Sequence, residues 1–464
     1  MVVFIRYCTS AVLENFGIMI KKVGAMKILI KNGELLLPNQ DDFRIAKGNL
    51  IIEDNRIKSI LLSEDADLPS DYDKVIDATD SLVMPGLINA HTHAYMSLFR
   101  NRADDMEFFD WLHSVEQVED NLTAEDCYYA TLLSIAEMLH SGTTCFVDMC
   151  LRSARSDVET DPASAVSGAA KLSGMRAFIG RGLIGEDGEE GAMRRLNEFL
   201  ADAKLHQGDD RVKFILAPHA PYSCEPSILS RIKKEGLERH LPATIHISES
   251  EAEVAGIAKK TGGDTPVEYV AKSGLFDLPT IAAHLVNVTD SDINLLKQYN
   301  VSAVINPRSN MKLGNGFAPV EKFVKNGLNV CLGTDGSGSN NTQNLFQEMQ
   351  FAALVYKGSN KKAKCIDASD VIKFATVNGA KALGYSDSLG ALKEGALADI
   401  ILLDLNVPEF TPRNNLVSAL CYSANGSEVK TVIINGKVIM EDKTILTFDE
   451  QEIMQKCEKI TSNW

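Results

Sequence analysis

Hydrophobic and polar positions alternate in short runs near both ends of the chain. From Met26 to about Met84 the runs KILIKNGELLL, GNLIIEDNRIKSI and KVIDATDSLVM are separated by turns, without a long helical pattern. Similar runs, ADIILLDL and KTVIINGKVIMEDKTIL, return towards the carboxyl end. Because either half alone offers too few strands to bury a face, we predict that residues 26–84 and 391–464 pair into one small β-sandwich.

In residues 85–390, short apolar runs alternate with long helical stretches. Eight runs read as strands: GLINAH near 86, TTCFVDM near 143, RAFIGRG near 176, KFILAPHA near 213, ATIHISES near 243, TIAAHLVN near 280, SAVINP near 302 and NVCLGTDG near 329. Eight strand–helix units over roughly 300 residues are typical of a TIM barrel, whose active site lies at the C-terminal ends of its strands. We therefore predict an α/β fold, a TIM (β/α)8 barrel that carries the small β-sandwich.

The predicted strands end in side chains that bind metals. The ends of the first, fourth, fifth, sixth and eighth strands carry, in chain order, His91, His93, His219, His246, Glu249, His284 and Asp335. His91 and His93 project together, because alternate residues of a strand share a face. Five of the nine histidines lie at these ends, which converge in a barrel, and this pattern predicts a metal site.

Composition narrows the class of partner. The chain has 464 residues, of which 45% are hydrophobic and 24% charged, as in globular proteins rather than membrane-spanning ones. A net charge of −16 argues against nucleic acid, because phosphate binding needs clustered lysine and arginine. Nine scattered cysteines without a Cys-x-x-Cys pair indicate reduced thiols and a cytoplasmic location.

The first 25 residues are apolar, but Arg6 and Glu14 interrupt the run and further cationic residues come late. We therefore predict no export signal. Because Met26 opens the first strand pattern, we expect residues 1–25 to be a dispensable extension. The alternative is a helix that packs on the barrel or across a subunit interface.

Five segments carry a resemblance to a known family: PGLINAHTHA, IHISESEAE, AAHLVNV, NPRSNMKLGNGFAPV and LGTDGSGSNN. In this order they resemble the amidohydrolase superfamily, in which the His-x-His motif is widespread. The stretches SNMKLGNGFAPV and GTDGSGSNN are similar to its deaminase and chlorohydrolase branch, and in particular to deaminases of 5'-methylthioadenosine and S-adenosylhomocysteine. The resemblance covers the chain from Met26 onwards.

The resemblance implies one divalent metal ion per chain, held by His91, His93, His246 and Asp335, with one position open for water. Three imidazoles and a carboxylate suit zinc, and iron is chemically admissible. Members with two ions bridge them by a carboxylated lysine, and the stretch LAPHAPYS on the fourth strand ends without one. We therefore predict a single ion.

The implied activity is hydrolytic deamination of adenosine-type nucleosides to the inosine analogue and ammonia. Glu249 resembles the proton shuttle of the family, which serves N1 of the adenine and the leaving amine. His284, together with Asp335, would orient or deprotonate the attacking water. All three are therefore candidate catalytic residues.

The resemblance also implies contacts to the rest of the substrate. Glu119 would accept from the ribose hydroxyls, and His219 would contact the purine. Arg181 and Arg195 would face the 5' substituent, where their donors suit the carboxylate of a homocysteine tail. Arg194 precedes Arg195, so which of the two points inward stays open, as does the preferred 5' group.

Two other functions stay open. A related amidohydrolase would act on another aminated or chlorinated heterocycle, such as guanine, a pterin or a triazine, but such a ring has no ribose for Glu119 to hold. A catalytically inactive barrel could serve as a binding scaffold, but it should have lost ligands that this chain retains. The resemblance further favours a homo-oligomer that binds a small nucleoside and neither nucleic acid nor membrane.

Overall fold

The structure is a computed structural model. It describes residues 26–40, 42–62, 71–150, 162–206, 208–462 and 464. The expectation that residues 1–25 form a dispensable extension lies outside the described residues.

Strands and helices alternate through most of the chain. The strands are β1 (Lys27–Asn39), β2 (Asp42–Glu53), β3 (Arg56–Leu61), β4 (Lys74–Asp77), β5 (Ser81–Pro85), β6 (Leu87–Thr92), β7 (Thr143–Cys150), β8 (Arg176–Leu183), β9 (Val212–Phe214), β10 (Ala217–Pro218), β11 (Ala243–Ile247), β12 (Thr280–His284), β13 (Ser302–Ile305), β14 (Asn329–Leu332), β15 (Ile400–Asp404), β16 (Val429–Ile434), β17 (Lys437–Glu441) and β18 (Thr444–Ile445). The helices are α1 (Phe108–Glu119), α2 (Ala124–His140), α3 (Pro162–Ser173), α4 (Gly188–Leu205), α5 (Pro226–Arg239), α6 (Glu251–Thr261), α7 (Pro266–Ser273), α8 (Asp290–Gln298), α9 (Pro307–Lys312), α10 (Val320–Lys325), α11 (Leu345–Ser359), α12 (Ala368–Phe374), α13 (Val377–Ala382), α14 (Leu416–Tyr422) and α15 (Glu450–Thr461). Among the described residues, every helix is too short or too polar to traverse a lipid bilayer.

All eight strands predicted for the middle of the chain are present, the fourth of them as the two pieces β9 and β10. They form two parallel sheets, β6–β7–β8–β10 with β9 beside β8, and β11–β12–β13–β14. Every residue of β7 and β8 is buried, as expected for parallel strands that are covered on both faces. The predicted α/β, TIM-barrel-like fold is therefore confirmed.

The two ends of the chain pair with each other, as the alternating runs predicted. They form one nine-stranded sheet, hereafter the terminal sheet, in which β5 lies antiparallel to β15 with Val83 opposite Leu402. Ile30, Leu50 and Leu402 belong to the apolar cluster that the sheet buries. The β-sandwich as a separate domain, with the boundaries given above, stays a prediction.

Helix α15 follows the last strand of the terminal sheet and packs against α2. His140 Nε2 of α2 lies 3.0 Å from a carboxylate oxygen of Glu450, and Lys456 Nζ lies 5.4 Å from the ring centroid of Tyr129. The segment predicted as the end of a β-sandwich therefore also contributes a helix to the outer layer around the parallel strands.

A buried ion pair joins the terminal sheet to the parallel strands. Arg176, the first residue of β8, donates from Nε and Nη2 to the two oxygens of Asp399, at 2.7 and 3.0 Å. Both side chains are almost fully buried, and Asp399 also accepts from the backbone N–H of Asn435 at 2.8 Å. Removing one partner would leave an uncompensated charge in the interior.

We predict that Asp399→Ala lowers the free energy of unfolding by about 3–5 kcal/mol, because Arg176 loses its buried partner. Urea unfolding followed by circular dichroism measures the effect. The matched control is Asp387→Ala, which removes an exposed partner of Lys393 and should cost at most about 1 kcal/mol. Equal unfolding midpoints for the two variants would contradict the assigned role of the buried pair.

Candidate metal centre and active site

Four side chains predicted as metal ligands meet at the carboxyl ends of the parallel strands. His91 is the last but one residue of β6 and His93 follows that strand, while His246 lies in β11 and Asp335 follows β14. Asp335 Oδ1 lies 3.4 Å from His91 Nε2 and 3.3 Å from His93 Nε2. His93 Nε2 and His246 Nε2 are 3.2 Å apart. Ligands about 2.0–2.1 Å from a tetrahedral zinc ion lie about 3.3 Å from one another, so these spacings fit such an ion.

The outer atoms of these ligands are already bonded. His93 Nδ1 donates to the carbonyl of Met149 at 2.8 Å, and His246 Nδ1 donates to the carbonyl of His219 at 2.7 Å. Each ring therefore carries a hydrogen on Nδ1, and when both rings are neutral their Nε2 lone pairs face each other at 3.2 Å. This contact is repulsive without a cation between the two atoms. Burial opposes ionisation of His93, but Asp335 raises its pKa above the ordinary value. Hydrogen bonds of this kind from the outer nitrogen are typical of histidines that bind a metal.

Of the remaining two donors, Asp335 is bonded on its outer oxygen in the same way, and His91 is not. Asp335 Oδ2 accepts from Ser309 Oγ at 2.6 Å and from Ser339 Oγ at 2.9 Å, which leaves Oδ1 facing the histidines. Both ring nitrogens of His91 are buried without a hydrogen-bond partner among the described residues. A buried polar atom in this state is costly unless it binds an ion. The donor set therefore fits a divalent metal.

Electrostatics keep most of these imidazoles in the form that binds metals. Burial lowers the pKa of His91, that of His246 well below its ordinary value, and that of His284 to about 4. Burial opposes ionisation of Asp335, but His91 and His93 hold its pKa well below the usual range. Neutral imidazoles and an ionised carboxylate are the states that ligate a metal.

Glu249 stands beside this centre, two residues after β11. Asn315 Nδ2 donates to its Oε1 at 3.0 Å, and its Oε2 lies 3.5 Å from His284 Nε2. Burial, and then the charge of Asp335, raises the pKa of Glu249 well above its ordinary value. Glu249 is therefore protonated more readily than a solvent-exposed carboxyl group, which suits a proton donor.

Local backbone contacts hold Glu249 in place. Glu253, in the first turn of α6, accepts from the backbone N–H of Ser248 at 3.0 Å and of Glu249 at 2.8 Å. Ser250 Oγ accepts from the backbone N–H of Glu253 and caps the same helix. Asn287 Nδ2 donates to the carbonyl of Glu249 at 3.0 Å. Hydrogen bonds to both its N–H and its carbonyl therefore hold the backbone of Glu249.

These groups face a cavity of about 220 Å³. One wall is aromatic, with Tyr95, Phe108, Trp111 and Tyr222. Trp111 Nε1 donates to the carbonyl of Gly338 at 3.1 Å, so α1 is tied to the loop that follows β14. Aromatic side chains around a polar centre suit a heterocyclic ring.

The structure brings some of the predicted substrate contacts into the cavity and leaves others outside its lining. Glu119 and His219 line it, together with Glu249. Arg181 donates to Glu198 at 2.8 Å, and Arg195 contacts Asp187 and donates to the carbonyl of Ile184 at 2.7 Å. Neither guanidinium lines this cavity.

Of the tandem arginines, Arg195 is the buried one and Arg194 is exposed. This answers which of the two points inward. The inward direction leads to Asp187 and to the backbone of the loop after β8.

Sequence reasoning missed two side chains of the site. Tyr95 lines the cavity and its hydroxyl donates to Glu119, and Asn315 binds Glu249. Tyr95 follows His93 by two residues, so its position near the site was readable from the motif. Asn315 lies in the stretch SNMKLGNGFAPV that carries the family resemblance, but its contact with Glu249 is made across the fold and could not be read from the sequence.

The fold and the geometry together define a class of protein. A TIM-barrel-like arrangement carries, at its carboxyl strand ends, a three-histidine and aspartate donor set beside the buried carboxyl group of Glu249. This is the design of a catalytic metal centre rather than of a closed structural site, because the donor set opens into a cavity.

Comparison with known proteins defines the family within that class. The Amidohydrolase family model matches residues 82–439, and the chain belongs to the amidohydrolase family. It is 44% identical over 448 residues to a protein of Caldanaerobacter subterraneus subsp. tengcongensis, across 94% of this chain and 98% of the relative. It is 42% identical to one of Thermoanaerobacter pseudethanolicus, across 94% and 99%. Both relatives are named 5-methylthioadenosine/S-adenosylhomocysteine deaminase, so the resemblance read from the motifs is confirmed.

Solved structures agree with this assignment. An adenosine deaminase from Xanthomonas campestris with bound zinc superimposes with a TM-score of 0.87 at 28% identity, across 94% of this chain and 98% of that one. The atrazine chlorohydrolase of Arthrobacter aurescens, complexed with zinc, has a TM-score of 0.85 across 94% and 100% of the two chains. At 20% identity the second likeness concerns the fold alone.

We predict that purified protein contains about one divalent ion per chain and that His246→Ala loses it, because one of the four donors is removed. Mass spectrometry of the metal content after dialysis measures this. The control is His140→Ala, which alters a histidine bound to Glu450 and should retain the ion. Two ions per chain at full activity, or full occupancy in His246→Ala, would contradict the four-ligand centre.

Proposed function

We propose that the chain is a metal-dependent hydrolytic deaminase of adenosine-type nucleosides, with 5'-methylthioadenosine and S-adenosylhomocysteine as substrates. The products are the inosine analogue and ammonia. The observation that carries the proposal is the buried carboxyl group of Glu249 beside the donor set of His246 and Asp335 in one cavity. Relatives at 40–44% identity that carry the name of this activity support it.

One divalent ion would be held by His91, His93, His246 and Asp335. We propose zinc, which three imidazoles and a carboxylate suit, while iron accepts the same donors. When bound, such an ion lowers the pKa of a water molecule towards about 7 and so supplies a nucleophile near neutral pH.

The chain's own residues handle the protons. Glu249 Oε1 accepts from Asn315, so its proton lies on Oε2, from which it is given to N1 of the adenine. This makes C6 more electrophilic, and hydrolysis exchanges the amine at C6 for oxygen. Glu249, ionised by that transfer, takes a proton from the attacking water and passes it to the departing amine, which leaves as ammonia, and the second proton of the water restores Glu249.

His284 is proposed to orient or deprotonate the attacking water together with Asp335. Its Nδ1 lies 2.8 Å from Asn310 Oδ1, an amide oxygen that can only accept, so the ring hydrogen is on Nδ1. His284 Nε2 is then an acceptor, 3.5 Å from Glu249. A neutral ring with a free acceptor nitrogen is the form that takes up a proton.

We propose that Glu119 accepts from the ribose hydroxyls and that His219 contacts the purine. Both line the cavity that Glu249 faces, which supports these roles. For Arg181 and Arg195 to bind a homocysteine carboxylate, they must exchange their partners Glu198 and Asp187 for it.

We also propose that the eight strands close into a barrel over residues 85–390. Hydrogen bonds between the two parallel sheets support closure on both sides. The backbone N–H of His246 donates to the carbonyl of His219, and that of Asp335 donates to the carbonyl of His91, each at 3.0 Å. Residues 26–84 and 391–464 are proposed as the β-sandwich attached to it.

A cytoplasmic homo-oligomer is proposed for the chain as a whole. Eight cysteines among the described residues are free and buried, which supports a reducing compartment. Exposed apolar side chains, among them Phe109, Phe317 and Leu354, offer surface that a second subunit could cover.

We predict that Glu249→Gln retains the metal and binds substrate while turnover falls by about 10² or more, because the amide cannot shuttle the proton. Steady-state kinetics and metal analysis of the same preparation measure both effects. Glu251→Gln changes an exposed glutamate of α6 and is the matched control with near-normal turnover. Near-normal turnover in Glu249→Gln would remove this residue from the mechanism.

We predict deamination across a panel of adenosines with 5' methylthio, homocysteinyl, hydrogen and hydroxyl groups, with ammonia released in step with loss of the adenine absorbance. Guanine and atrazine serve as the comparison substrates and should not react. Turnover of guanine or atrazine, with no turnover of any adenosine in the panel, would favour the alternative of a hydrolase acting on a bare heterocycle.

A further inference from the structure

Tyr95 connects the metal-binding strand to the helix that covers the cavity. It lies in a short 3-10 helix, Ala94–Phe99, directly after His93, and its side chain is buried. Its hydroxyl donates to Oε1 of Glu119. Its ring stands edge-on to that of His93, with 6.2 Å between centroids. Both Tyr95 and Glu119 line the cavity.

Glu119 occupies a place where a carboxylate is costly. It is the last residue of α1, and it is 6% exposed. The C-terminal end of a helix carries partial negative charge, which disfavours a further anion there. Burial adds to this cost unless donors reach the oxygens. The hydroxyl of Tyr95 is such a donor, and a hydrogen bond to a charged acceptor is among the strong ones.

We propose that Tyr95 is a positioning residue for Glu119 and thereby sets the preference of the site for substrates with an intact ribose. The inference rests on the proposed function, in which Glu119 accepts from the ribose hydroxyls. Each carboxylate oxygen has two acceptor sites. The bond from Tyr95 occupies one site on Oε1 and restricts the rotation of the carboxylate, and with it the orientation in which Glu119 meets a vicinal diol.

This role is separate from the proton chemistry. Glu249 has its own partners, Asn315, Asn287 and His284, and Tyr95 is not among them. Loss of the Tyr95 hydroxyl should therefore weaken binding of the ribose and leave the steps at C6 intact.

The test is Tyr95→Phe, which keeps the ring and removes only the hydroxyl. We expect KM for 5'-methylthioadenosine to rise about 10-fold or more, as for loss of a hydrogen bond to a charged group, with kcat within about two-fold. For 2',3'-dideoxyadenosine, which lacks both hydroxyls, kcat/KM should stay unchanged. In a Glu119→Gln background the same substitution should have no further effect, because the two residues act as one unit.

Tyr129→Phe on α2 is the matched control and should leave KM and kcat unchanged for both substrates. Equal losses of kcat/KM in Tyr95→Phe for both substrates would show a merely structural role and overturn the proposal. An unchanged KM for the riboside would also overturn it. Metal content and thermal unfolding of the variant verify that the fold is intact.

The wild-type protein separates this inference from the proposed function. If it deaminates no adenosine, the proposed function fails, and calorimetric binding of 5'-methylthioadenosine and 2',3'-dideoxyadenosine to wild type and Tyr95→Phe replaces the kinetics. A weaker riboside complex with an unchanged dideoxy complex then supports the role of Tyr95. Equal weakening of both, or none, overturns it.

Discussion

The site depends on one contact, the 3.2 Å approach of His93 Nε2 to His246 Nε2. Both rings carry a hydrogen on Nδ1, where Met149 and His219 accept it, so when both rings are neutral two lone pairs face each other in a buried place. Such an approach is unfavourable unless a cation lies between the atoms. Asp335 supplies the negative charge that a divalent ion needs. The binding of an ion, the positions of the ring hydrogens and the burial of the donor atoms therefore depend on one another.

The backbone around the centre is strained at three positions. Ser248, His284 and Asp335 follow or end three different strands, and all have positive φ angles, of 55°, 75° and 62°. For residues other than glycine, such angles are uncommon and cost of order 1–3 kcal/mol each. Hydrogen bonds hold them: Glu253 accepts from Ser248, and the N–H of Asp335 donates to the carbonyl of His91. The strands thus turn sharply enough to aim their side chains inward.

Much of this was readable from the sequence, because short apolar runs mark buried parallel strands and strand ends converge. All eight strands, and the meeting of His91, His93, His246 and Asp335, follow from that logic. Contacts that depend on the rotamers of individual side chains do not. The pairing of Arg195 with Asp187, which keeps the guanidinium out of the cavity lining, depends on rotamers that no period encodes. Likewise, residues 391–464 were assigned as a whole to the β-sandwich, because strand-type runs dominate that segment. The helix α15 at its end was not distinguished from those strands.

The terminal sheet adjoins the site in sequence, and it sets the register of the candidate metal ligands His91 and His93. Only Gly86 separates β5, which is held in that sheet by β15, from β6, which carries His91. A Cβ added at Gly86 would lie 2.1 Å from Thr144 Oγ1, so the junction admits no side chain without displacing β7. Because a shift of one residue reverses the face of every side chain in a strand, the pairing of β5 decides whether His91 and His93 point at the centre. The sheet built from both chain ends is therefore part of the metal site's construction.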